Sequence, residues 1–360
     1  MCIRDSNNGT SWANAFTDLQ DALEIIKSCR PDTIKVAKGT YYPSASDTIF
    51  DPCTNALISI IPPSRSISFI IPDSSVLLGS YDPITGVQDF KSTPSILCGD
   101  INHDGDSMGN TYNVIKTIEY NERIYFDHFV IQGGNAIPNN EEGGAWWDGS
   151  NVNTAKLTIR HTIFRDNYAI KGGAFYTEGI KDLCIAQSEF YNNEASDRGG
   201  AIYITPSPQH FSNFPVIRFE NLLIHSNKAA VNGGGIAISS SPQLNFCGVN
   251  LTIVDNIPDG INNNVFNQVQ FFQSIVKLCN SIVWNNGTGP EFSGTPIGVT
   301  YSIVGDAGVH GGTGNKNVDP LLNPDYTLTA SSPAIDMGTN GCSMEPLEDV
   351  YKRQPCSSYH

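Results

Sequence analysis

Apolar residues recur two apart along most of this chain, in short bursts separated by Asn and Gly. Between 157 and 177 the alternating positions are Leu157 and Ile159, Thr162 and Phe164, then Phe175 and Thr177, which is the period of half-buried strands. The burst repeats. FRDN at 164–167 is followed by GGAF at 172–175, FYNN at 190–193 by GGAI at 199–202, and IHSN at 224–227 by GGGI at 233–236. Each copy is preceded by an alternating pair: Leu157/Ile159, Leu183/Ile185 and Ile217/Phe219. Weaker copies at Ile253/Asn256 and Val283/Asn286 continue the series, so that Asn167, Asn193, Asn227, Asn256 and Asn286 stand 26, 34, 29 and 30 residues apart. Such a period defines a repeat architecture before any single residue is considered.

One repeat predicts three short strands, with a turn between the second and third where Asn167, Ala169, Gly172 and Gly173 tolerate tight or left-handed backbone. A unit this small cannot bury its own apolar face, so successive coils must stack, each strand pairing in parallel with its equivalent about 4.8 Å away. The expected fold class is an all-β solenoid, a parallel β-helix. Leucine-rich repeats are excluded because no helix-period segment recurs. Stacked in register, Asn167, Asn193, Asn227, Asn256 and Asn286 predict a structural ladder in which each side-chain amide bonds the next, since a buried amide without a partner costs about 1–3 kcal/mol. The stretch from Pro206 to Pro215 lies between repeats, where a solenoid places insertions.

The ends change the pattern. Phe16, Leu19, Leu23 and Ile26 recur at three- and four-residue steps, Asn14 can cap their start and Pro31 forbids continuation, which predicts a helix over about 15–29. Placed before the first strand, Ile34 to Val36, it would plug the open end of the solenoid's core. MCIRDS at the start and VYKRQ at 350–354 resemble translated adapter sequence, and the chain is expected to be a fragment. The expected organisation is thus 1–6 foreign, 7–31 an N-terminal cap, 32–345 the β-helix, and 346–360 foreign or a disordered tail.

The formal charge is −15, from 21 Lys+Arg against 36 Asp+Glu; this excludes nucleic acid and anionic membrane surfaces as partners, which need a basic face. No stretch is apolar enough to span a membrane. Nine cysteines show none of the short paired spacings of a zinc or redox motif. Cys184, Cys247 and Cys279 fall in or beside strand patterns and are expected to be small packing residues, with disulfide pairing left open.

FRDN, FYNN, GGAF and GGAI resemble the repeat signature of polymorphic outer-membrane proteins. GTSWANAFTDLQDAL at 9–23, VAKGTYYP at 36–43, SILCGDIN at 95–102 and NVDPLLNPDYTLTASSPAIDMGTN at 317–340 resemble stretches of a wider group of bacterial surface β-helix proteins, the choice-of-anchor proteins. The resemblance covers nearly all of 9–340. It implies right-handed coiling, an extracellular or cell-surface location and, through the polymorphic outer-membrane proteins, adhesion. No outer-membrane barrel follows the repeats here, which leaves the means of attachment open.

Right-handed β-helices also carry polysaccharide lyases and glycoside hydrolases, the alternative reading. Glycosidases need acids converging within about 5–10 Å, yet there is no DD pair, and Arg160, Arg165, Lys171, Lys181 and Arg198 are dispersed along the coil. Asp127 and His128 in YFDHF are expected at an ordinary strand–turn boundary. Asp100, Asn102, Asp104 and Asp106 alternate as at the start of a calcium loop, with Gly105 sixth, but the twelfth position is Thr111 rather than an acid; a polar surface loop is the first reading, a calcium site the alternative, and no other cofactor is implied. In the third strand, Trp146, Phe175, Ile202 and Ile236 are expected to point inward, and Trp147, Tyr176, Tyr203 and Ala237 outward. An exposed aromatic stripe of Trp147, Tyr176 and Tyr203 would suit a glycan or a surface protein. The expected function is a non-catalytic surface or secreted binding module, without catalytic residues.

Overall fold

The computed structural model describes residues 9–342 except 30–32, 45–47, 51–56, 61–63, 119, 138–140, 150–154, 206–214, 241–243, 266–274, 288 and 296. The terminal segments 1–6 and 346–360 and most of the proline-containing insertion lie outside the described residues. Strands from successive coils line up into three long parallel sheets of nine, nine and eight strands. The chain winds as a right-handed parallel β-helix, the hand favoured for parallel crossovers.

The coil around the central repeat shows how the sequence makes this shape. Lys156–Arg160 lies in the first sheet, Ile163–Arg165 in the second and Phe175–Glu178 in the third. Alternation turns Leu157, Ile159, Phe164 and Phe175 into the core, each at most 1% exposed. Phe164 pairs with Phe190 one coil on, their rings stacked with centroids 4.4 Å apart. A fourth small sheet, Tyr168–Lys171, Glu194–Arg198 and Lys228–Ala229, fills the stretch expected to be a turn. The glycine pair that follows has two separate duties. Gly172 sits at φ +60°, whereas a Cβ on Gly173 would lie 2.3 Å from the Gly200 carbonyl oxygen of the next coil.

The asparagines stand in one line. Asn167 Nδ2 donates to Asn193 Oδ1 at 3.0 Å, Asn193 to Asn227 at 2.9 Å, Asn227 to Asn256 at 2.9 Å and Asn256 to Asn286 at 2.8 Å. All five are buried. The row ends on a carboxylate: Asn286 Nδ2 donates to Glu291 Oε2 at 2.6 Å. Burial pushes the Glu291 carboxyl above its ordinary range, and the aligned amides present it their donor end.

The two ends depart from the repeat. The helix runs Leu19–Cys29 and is capped by Asp18, whose Oδ1 accepts from Gln20 N at 2.7 Å, rather than by Asn14. Asn14 instead closes a short 3-10 turn, Trp12–Asn14, which breaks the helical run before Phe16. Leu19 and Leu23 join the core of the first coils, as an end cap requires. At the other end the last strand among the described residues is Ile303–Val304, with Lys316 bridged in parallel to Ile303 beyond it. Residues 316–342 fold back as a strap over the second sheet, where Leu322, Tyr326, Ala334 and Met337 pack on Val254, Ile282, Ile303 and Trp284.

Candidate functional site

The first and second sheets meet at a corner of one or two residues, and left-handed backbone is what closes it. His128, His161, Gln187, Asn221, Asn250 and Asn280 occupy it on successive coils with φ between 41° and 65°, conformations that Asn and, to a lesser degree, other polar residues accept. One earlier coil departs from this. Between Val76–Tyr81 and Ser95–Cys98 the connection lengthens to residues 82–94, and Phe90 from this loop stands over the corner.

Under Phe90 runs a groove of about 330 Å³. Its floor is the outward column Ile163, Glu189 and Leu223, in register on three strands of the second sheet, and its wall is the corner column His161, Gln187 and Asn221. Two residues further along the same strands, Gln132, Arg165, Tyr191 and His225 form a second register column. Arg165 Nε and Nη2 donate to Gln132 Oε1 at 2.9 and 2.7 Å, and Nη1 to the Tyr191 hydroxyl at 3.1 Å. Tyr191 and His225 stack at 5.2 Å, and Tyr326 of the strap closes the row against His225 at 4.6 Å. Planar polar side chains thus stand beside a groove whose floor alternates apolar and acidic, and His225 Nε2 lies 3.0 Å from Glu189 Oε1 of that floor.

At the Phe90 end, Asp127 is 8% exposed. His161 Nδ1 lies 2.9 Å and His128 Nδ1 2.7 Å from the same oxygen, Asp127 Oδ1. The two imidazoles stack at 4.4 Å, with the Phe90 ring edge-on to His128 at 5.7 Å. Burial pushes the Asp127 carboxyl upward, but the adjacent imidazoles outweigh it and bring it down to about 2. Burial also pushes the Tyr125 phenol up to about 12; its hydroxyl donates to Asp127 Oδ2 at 3.3 Å.

Asp127 and His128 do lie at a strand–turn boundary, Asp127 ending the strand Arg123–Asp127. Sequence reading missed their partner His161, together with Phe90, Gln187 and Asn221. The signal was the residue just after each first-sheet strand, read down the coils. On the same face, burial raises the Glu220 carboxyl, which gives two acids with separated proton affinities. Register places Asp127 and Glu220 three rungs apart, about 14 Å, wider than the roughly 5–10 Å over which glycosidase acids cooperate.

Two expectations are corrected, the exposed aromatic stripe and the packing role of Cys184 and Cys279. Trp147, Tyr176, Tyr203 and Ala237 do align and face away from the core, but Tyr176 and Tyr203 are only 7% and 5% exposed. Their rings stack on each other at 5.7 Å, with Lys171 Nζ 5.6 Å over Tyr203 and Lys116 Nζ 5.9 Å over Trp147. The stripe is a second small core. Around Asp100, Asn102, Asp104 and Asp106 the loop spends its oxygens on itself: Asp100 accepts from the amides of Asp104 and Gly105, Asp104 from that of Asp106, and Asp106 from that of Met108. Among the described residues its carboxylates bring no three ligand atoms together, whereas those of Asp127, His128 and His161 lie within 4.8 Å of one another. Finally, Cys279 forms a disulfide with Cys342, and Cys184 is also disulfide-bonded. Leu183, Ile185 and Leu278 take the core side, so both cysteines fall on the outer face. Of the dispersed basic residues, Lys171 and Arg198 share one rung position, while Arg160 and Arg165 sit on different sheets.

These features define a right-handed β-helix protein with a polar, aromatic-edged groove along its axis. Residues 187–205, from the corner Gln187 through the ladder Asn193 to the third-sheet strand, match the Chlamydia polymorphic membrane protein repeat. The match spans a single repeat, and there the chain is similar to that family. No curated protein and no solved structure matches it. No helix among the described residues is long and apolar enough to cross a membrane, which says nothing of a β-barrel.

Proposed function

We propose that this chain is a non-catalytic, cell-surface or secreted glycan-binding module, and that the groove under Phe90, with the polar column beside it, is its binding face. The carrying observation is a groove floor that sets Ile163 and Leu223 on either side of Glu189, beside a register column of Arg165, Tyr191 and His225. A sugar ring offers the complementary surfaces, a C–H face for the floor and hydroxyls for the edge, and the groove volume is in the range of small-molecule sites. Disulfides at Cys279 and Cys184 agree with an oxidising, extracytoplasmic location. The spacing of Asp127 and Glu220 favours binding over glycoside hydrolysis.

A glycan array probed with the full chain tests this. Binding is expected, with Phe90→Ala and Arg165→Ala each weakening the strongest hit about tenfold, near 1.4 kcal/mol, and leaving the thermal midpoint within a few degrees. A silent array, or variants that bind as the parent does, would overturn the reading. Retention of a surface protein with no glycan bound would assign the groove to protein recognition instead.

A further inference from the structure

We propose that Asp127, His128 and His161 form a binding site for a divalent transition-metal cation of the zinc class. This goes beyond the glycan reading and does not depend on it. Two imidazole nitrogens and one carboxylate oxygen are a borderline donor set suited to zinc, nickel, copper or iron rather than to calcium or magnesium. The geometry is close to what such an ion needs. With metal–ligand distances near 2.0–2.1 Å, neighbouring ligand atoms lie about 2.9 Å apart around a six-coordinate ion and about 3.3 Å around a four-coordinate one. The nitrogens stand 2.7 and 2.9 Å from Asp127 Oδ1 and all three ligand atoms lie within 4.8 Å of one another, so an ion requires the set to open by a few tenths of an ångström and the two stacked rings to turn toward a common point.

The surroundings hold the set in place. Both histidines sit at left-handed corners, φ 65° and 41°, with their amides tied to the next coil: His128 N to Arg160 O and His161 N to Ala186 O, each at 3.2 Å. Tyr125 holds the second carboxylate oxygen, an outer-shell contact that fixes a ligand's orientation. Arg160, next in register to Asp127, donates from Nη2 to Gln187 Oε1. The His128 Nδ1 is buried and has no partner in hydrogen-bonding geometry; a cation would supply one. Three protein ligands leave further positions for water or for a group in the groove that His161 lines.

Calorimetric titration of the tag-free full chain with zinc chloride, alongside the visible spectrum with cobalt(II), tests the site. One equivalent should bind, with a rise in thermal midpoint. His128→Asn and His161→Asn keep a residue that other coils already use at this corner, Asn221, Asn250 and Asn280, so both variants should fold. Loss of an outer-shell partner alone costs 10–100-fold in affinity, so loss of a ligand should cost about 100-fold or more. Asp127→Asn, which keeps the shape and removes the charge, gives an independent reading. Absence of binding to the parent chain at millimolar zinc, or equal binding by parent and variants, would overturn the proposal.

Discussion

A ladder asparagine is used at both ends of its amide. Asn193 Oδ1 accepts from the backbone N and from Nδ2 of Asn167, while its Nδ2 donates to Phe164 O and to Asn227 Oδ1. Removing that amide leaves the buried Asn167 N–H without its acceptor, a loss larger than one ordinary hydrogen bond because no water replaces it. Asn193→Leu should therefore destabilise the chain by about 2–4 kcal/mol, read from the urea midpoint at constant m. An unchanged midpoint would mean that the row is incidental to stability. This much was legible in the sequence, because a strictly recurring polar residue on a stacking fold has few other ways to be satisfied. The carboxylate that ends the row was not, since Glu291 belongs to no repeat.

At the scale of the strand, period two states which way a side chain points but not what it meets. Tyr176 and Tyr203 were legible as outward-facing. Their burial was not, because it depends on each other's rings, on Trp147 packed beside them and on Lys171 from a neighbouring segment. The consequence reverses the naive expectation for a surface tyrosine. Tyr203→Ala should cost about 2–4 kcal/mol, as for a large buried side chain, and a thermal melt that moves by no more than a degree would restore the exposed reading. The groove was hidden for a related reason. Its floor and corner are repeat positions, but its lip is a loop present in one coil only.

For the whole molecule, stacking solves burial everywhere except at the two open ends. At the N-terminal end Leu19 and Leu23 of the helix enter the core, and the apolar periodicity announced this cap in the sequence. The other end is handled differently. The strap lies along the side of the last coils, and two contacts tie it to the first corner: Asn280 exchanges hydrogen bonds with Thr339, Nδ2 to O at 3.0 Å and N to Oδ1 at 2.9 Å, and Cys279 is joined to Cys342. Nothing in the repeat marks this, because the strap carries a single copy of each contact. The disulfide closes 63 residues of chain, for which loop-closure entropy gives about 4 kcal/mol as an upper figure. Cys342→Ser should thus lower stability by about 2–4 kcal/mol. Loosening the strap should also uncover Trp284, whose ring it packs against, so the variant's fluorescence should shift to the red before the main unfolding transition. A fall in stability with no early shift in emission would mean that Leu322, Tyr326 and Met337 hold the strap without the covalent tie.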